Sequence, residues 1–270
     1  RRKKVAASQL VIQTFIVNYD MKNNTMCWHK DNNIDNNFYK DIYPVTDKQY
    51  AAIKEIYDRE GTVSEEKILE IVNDIQYKPD GWNPWYWRRS FEGVGYIGDK
   101  IDWKKEKAIY RAWANIIQKC YSPKVHKTRP YYKECTVSEE WKNFQNFKIW
   151  YKDYKGKVKQ DLDKDILFQG NKEYSPETCV YTTHFINTVF EDRGSKKLEE
   201  TKEGKYKIFM MIMGEERDLG VFDTKEECYE AFEKRKKEFI IKLAEKTKKK
   251  DKIPECQYQA MINWEVKAKE

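Results

Sequence analysis

No apolar run in this chain is long. Stretches such as 208–213 (IFMMIM) stop far short of the roughly 20 residues a bilayer crossing needs, and charged residues, 36% of the chain, interrupt the rest. A membrane protein is therefore not expected, in line with a mean hydropathy of −0.95. A sequence broken up in this way has to build its core from single side chains contributed by many short elements. The 9 Trp, 19 Tyr and 12 Phe supply the area, which also takes the chain out of the disordered class. At 270 residues the expectation is two small domains rather than one.

Residue types that carry chemistry are sparse. The six cysteines, at 27, 120, 135, 179, 228 and 256, stand 15 or more residues apart, so no zinc-binding spacing exists and they read as reduced, packed thiols. With three histidines, His29, His126 and His184, a multi-histidine metal site is hard to build. The cationic start, RRKK at 1–4, is followed by a stretch with two Gln and no small-residue cleavage pattern, so it does not read as a secretory signal.

The net charge of +7 is concentrated at the ends. Residues 233–252 hold ten Lys or Arg against four acids, and 1–4 add four more cations, leaving the rest slightly acidic. Two readings stay open for the basic run: a rail for a polyanion, or a solvated helix end set favourably against the helix dipole.

Along the chain, 10–17 (LVIQTFIV) reads as a buried strand or a short helix, and the Asn- and Asp-rich stretch after it as loop. Thr46 with Gln49 has the form of a capping box. Tyr50, Ile53, Ile56 and Tyr57 then recur at helical spacing until Gly61, and Ser64 opens a second helix carrying Ile68, Leu69, Ile71, Val72 and Ile75. Residues 78–98 mix two Pro, four Gly and three Trp, which suggests a packed linker with a boundary near 91–95. There Trp82, Trp85 and Trp87 beside Arg88 and Arg89 suit either core packing or stacking on nucleic acid.

From 93 onward the residues match a specific pattern. YRAWAN at 110–115, QKCY at 118–121, Tyr132, CTV at 135–137, Glu140-Trp141, FQNF at 144–147, LDKD at 162–165 and YSPETC at 174–179 follow in order. This series resembles the phage-borne HNH-endonuclease-like family. GKYK at 204–207, LGVFDT at 219–224 and EECYEA at 226–231 then resemble the AP2 type of DNA-binding domain. The resemblance covers about 93–245 and nothing before it; together with the helical patterns outside that span it gives the expectation of an α+β chain in four parts. These are an N-terminal, mostly helical region of unknown role (1–92), an HNH-like ββα-metal-type domain (93–195), an AP2-like three-stranded antiparallel sheet packed on a helix (200–250) and a C-terminal helix (251–270).

An HNH-type site needs a divalent metal held by an acid and a later polar side chain, with a histidine as general base on the attacking water. By resemblance Asp163 takes the metal-ligand place and Asn187, nine residues after Thr178, the closing polar place. The position that carries the base in active members is Lys164, and the middle Asn of the motif is Thr178. A lysine holds its proton at neutral pH and repels a neighbouring cation, so it is no replacement for the base. His184, three residues before Asn187, is the one histidine placed to rescue the function. Otherwise it points outward from a helix whose core face is Phe185, Ile186 and Val189. With cleavage lost, Lys164 is expected to face phosphate.

In the AP2-like part, alternation puts Lys205, Lys207, Phe209, Met211 and Met213 on one face and Tyr206, Ile208, Met210 and Ile212 on the other. Phe209 and Met211 depart from the basic or polar residues usual in that family, leaving Lys205, Lys207 and Arg217 as contact candidates. The following helix, capped by Asp223 or Thr224, is expected to line Cys228, Ala231, Phe232, Phe239 and Leu243 along the sheet. Its other side would then present Lys234, Arg235, Lys236 and Lys237 to DNA. A closing helix is expected over 258–266.

The function expected is a phage DNA-binding protein derived from an HNH endonuclease, with lost or impaired cleavage, acting on double-stranded DNA in the cytoplasm of an infected bacterial host. One alternative is an active nicking or homing endonuclease using Mg²⁺ at Asp163 and Asn187. Another is a phage protein that binds a host or viral protein through the first ninety residues and the apolar sheet face. No small-molecule substrate is expected.

Overall fold

The computed structural model describes residues 6–154, 160–191, 195–250 and 252–268. The fold is mixed α/β, with a three-stranded antiparallel sheet near its C-terminal end. Among the described residues, no helix is long and apolar enough to cross a membrane. Packing divides the chain into two compact units, 1–153 and 154–270. The sequence boundary near 91–95 lies inside the first.

The first unit opens with α1 (Ala7–Phe15), helical as one of the two readings of 10–17 allowed. It is only partly buried: Ile12 faces inward, while Leu10 and Phe15 are exposed. The stretch expected to be loop contains a strand, β1 (Met26–His29), paired antiparallel with β2 (Ile42–Val45). Trp28 explains the difference. Its fully buried ring packs edge-on against Tyr50 and Tyr57 at 5.5 and 5.9 Å, and this burial outweighs the turn preference of the flanking asparagines.

Both rings belong to α2 (Asp47–Glu60), which carries the expected capping box. The Thr46 hydroxyl accepts from the Gln49 amide and the Gln49 side chain accepts from the Thr46 amide. Gly61 ends the helix at a φ of 73°, a left-handed conformation that glycine adopts without strain. α3 (Glu65–Asn73) follows from its Ser64 cap and buries Ile68 and Ile71 against the same cluster.

α4 (Trp103–Tyr121), α5 (Pro123–Thr128), the short strand β3 (Thr136–Val137) and α6 (Phe144–Asp153) complete the unit. The buried Trp113 donates its indole N–H to the Trp141 carbonyl at 2.7 Å, and a Cβ at Gly95 would meet its ring at 3.0 Å. The FQNF segment uses its polar side chains structurally. Asn146 donates to the Asn18 carbonyl at 2.9 Å and accepts from the Met21 amide at 3.0 Å, while Gln145 donates to the carbonyls of Ile97 and Asp99. Buried amides that satisfy irregular backbone in this way fix two loops that have no ladder of their own.

The second unit begins with an antiparallel strand pair, β4 (Asp161–Asp163) and β6 (Val180–Thr182), in the register Asp161↔Thr182, Leu162↔Tyr181 and Asp163↔Val180. A two-residue strand, β5 (Glu173–Tyr174), lies in the connection. α7 (His184–Phe190) starts directly after β6, its Thr183 cap accepting from the Ile186 amide. The sheet β7 (Lys196–Glu200), β8 (Tyr206–Ile212) and β9 (Glu215–Phe222) follows in sequential antiparallel order.

Two helices close this unit, α8 (Lys225–Lys249) and α9 (Glu255–Asn263). Thr224, of the two candidates, caps α8 with a second capping box. Ile208, Met210 and Ile212 point inward as alternation predicts. They share one core with Ile186, Val189 and Phe190 of α7, Cys228, Phe232 and Ile240 of α8, and Met261 and Trp264.

Candidate nucleic-acid interface

Asp163 ends β4 and its carboxylate turns back on its own chain. One oxygen, Oδ1, accepts from the amides of Asp165 at 2.8 Å and Ile166 at 2.6 Å, the geometry of an aspartate closing a turn. Burial lifts the carboxyl from its ordinary value to about 6, with the charge of Asp165 adding to the rise and the two amides opposing it. The same surroundings push the buried Cys179 thiol upward.

Lys164 does not have the phosphate-facing orientation expected of it. The residue is buried at 7% exposure, and its Nζ donates to both Asp165 oxygens at 2.7 Å and to the Asn171 carbonyl at 2.9 Å. Asn171 answers by donating its side-chain amide to the Lys164 carbonyl. A buried ammonium requires partners of this kind, and the turn supplies them.

His184 and Asn187 both lie on α7, as the helical reading required. His184 is outward, and its Nδ1 lies 2.8 Å from Asp161 Oδ2. In the sequence, the only signal for Asp161 is its place two residues before Asp163. The Asn187 Oδ1 is buried with no hydrogen-bond partner among the described residues.

The donor set does not fit a divalent ion. The acid expected to bind it is engaged by two backbone amides and shifted toward its neutral form, and the next residue is a cation. Among the described residues no group of three His, Cys, Asp or Glu side chains converges to hold a metal.

The outer face of the sheet neutralises itself. Lys197 pairs with Glu199 and Glu216 at 2.8 and 2.9 Å, Lys207 pairs with Asp218 at 2.8 Å, and both ammonium groups lie over the Phe209 ring. The three contact candidates do not form a patch. Lys205 is held by Asp223 at 2.8 Å, Lys207 lies on the outer face, and Arg217, opposite Met210 in the ladder, lies on the helix side over Phe239. Two cations against three acids leave that face with no attraction for a phosphate backbone.

The four cations at 234–237 also separate. Consecutive helical residues step by about 100°, so four of them go most of the way round and cannot share a face. Lys236 falls on the buried stripe Cys228, Phe232, Ile240, Ala244 at 4% exposure. Lys237 donates to the carbonyls of Ile262 and Trp264, both at 2.6 Å, and so holds the C-terminal end of α9. Only Lys234 and Arg235 are exposed, the latter paired with Glu238 at 2.9 Å.

The free positive charge of this helix lies further along. Lys242, Lys246 and Lys249 are exposed at i, i+4 and i+7, followed by Lys250, and none of the four makes an ion pair among the described residues. The i, i+4, i+7 spacing is visible in the sequence, where the other cations of 233–252 obscure it. Searches against family models, curated proteins and solved structures find no match to this chain.

Proposed function

We propose that this chain is a double-stranded DNA-binding protein on an HNH-like scaffold that has lost metal-dependent cleavage, and that the exposed lysines of α8 are its contact with the phosphate backbone. The observation that carries this reading is the stripe Lys242, Lys246, Lys249: one face at the end of a helix anchored in the core, none of its three ammonium groups in an ion pair among the described residues. The three side chains rise over about 10 Å of helix, a length over which one strand of B-form DNA presents about three phosphates. An unpaired ammonium costs little to bring to a phosphate, because no existing ion pair has to be broken.

The turn at Asp163 supports the loss of cleavage. A carboxylate whose Oδ1 closes its own turn, followed by an inward lysine, is a poor provider of the ligand and the base such chemistry requires. The phage origin and the cytoplasm of an infected host belong to this reading through the resemblance of 93–245 alone. Fluorescence anisotropy on a labelled duplex at increasing salt tests it, with Lys242→Glu, Lys246→Glu and Lys249→Glu combined in one variant.

A further inference from the structure

The tryptophans of 78–98 divide between two roles. Trp82 and Trp87 stack at 6.3 Å, Trp87 stacks on Tyr96 at 5.4 Å, and Tyr96 is buried: these rings are packing. Trp85 is 64% exposed. It sits on a single 3-10 turn (Pro84–Trp87) that is fixed at both ends: the Asn83 side chain accepts from the Trp85 amide at 2.9 Å, Pro84 sets the first position, and Arg88 closes the turn. The Arg88 guanidinium lies over the Trp85 ring at 4.5 Å and makes no ion pair among the described residues.

We propose that Trp85 and Arg88 form a stacking platform for an unpaired base of single-stranded nucleic acid. Trp85 leaves most of its indole surface open to solvent, where a planar partner can stack. Arg88 covers part of the ring and keeps an uncompensated positive charge beside it. A ligand that satisfies both groups is flat, rich in π electrons and anionic, which describes a nucleotide within a strand. A proline-rich or aliphatic peptide would cover the ring and leave the guanidinium without a counter-charge. The platform lies in the first unit and the lysine stripe in the second, so it rests on separate residues and either can fail alone.

The test is anisotropy of the full chain with a short oligothymidine and with an abasic strand of equal length, which keeps the phosphates and removes the bases. Trp85→Ala is expected to weaken oligothymidine binding by roughly 5- to 150-fold, the effect of one base–aromatic stack, and to leave the abasic strand unchanged. Trp85→Phe should recover most of the loss. Trp85 is exposed, so far-ultraviolet circular dichroism of each variant should match the parent. Oligothymidine binding unaffected by Trp85→Ala, or an equal loss for the abasic strand, overturns the proposal.

Discussion

Oδ1 of Asp163 lies 2.6 Å from the amide nitrogen of Ile166, and this bond decides what the carboxylate does. An acid that closes its own turn is a structural element. Asp163→Ala removes the acceptor from two amides, those of Asp165 and Ile166, and is expected to cost about 1–3 kcal/mol in urea denaturation. Asp163→Asn keeps an acceptor oxygen and should retain most of the stability. Equal stability of Asp163→Ala and the parent would contradict this role.

The same group sets a pH dependence of definite sign. Its folded value of about 6 lies above the 3.8 of an ordinary aspartate, so between these values the folded chain holds a proton that the unfolded chain has released. The contribution of this group to stability therefore falls as pH rises from about 4 to about 6 and then levels off. Denaturation midpoints of the parent minus those of Asp163→Asn, measured across pH 4–7, isolate this contribution. The difference is expected to decline with pH, and a rising difference would reverse the assignment.

Cleavage should be absent with either Mg²⁺ or Mn²⁺. Plasmid incubated with the parent chain is expected to nick at the background rate, and Asp163→Ala, Asp161→Ala and His184→Ala should be indistinguishable from it. The His184–Asp161 pair is exposed and is expected to contribute less than about 1 kcal/mol to stability. Metal-dependent nicks that vanish in Asp163→Ala would restore the nuclease alternative.

Local rules with strong physical content carried over from sequence to structure. Thr46 with Gln49, Gly61, Ser64 and Thr224 all cap helices as their chemistry dictates, and the alternation of Ile208, Met210 and Ile212 gives the inner face of the sheet. What the sequence left hidden is set by tertiary partners. Trp28 makes a strand out of an asparagine-rich stretch, and Asp165 with the Asn171 carbonyl draws Lys164 inward. Lys236 falls on the core side of α8 only because the buried stripe passes through it. Asp163, Lys164, His184 and Asn187 all lie in the second unit, but their orientations could not be read from residue types. The sheet face shows the same limit, because the pairing of Lys207 with Asp218 depends on the β8–β9 register.

Duplex affinity as a function of salt tests the central claim most directly. Each phosphate neutralised contributes about −0.9 to the slope of log K against log salt, so three lysines predict a slope of about −3. Combining Lys242→Glu, Lys246→Glu and Lys249→Glu should bring the slope close to zero while the fold is retained. A flat salt dependence in the parent chain, or a steep one that survives the triple substitution, would contradict the claim.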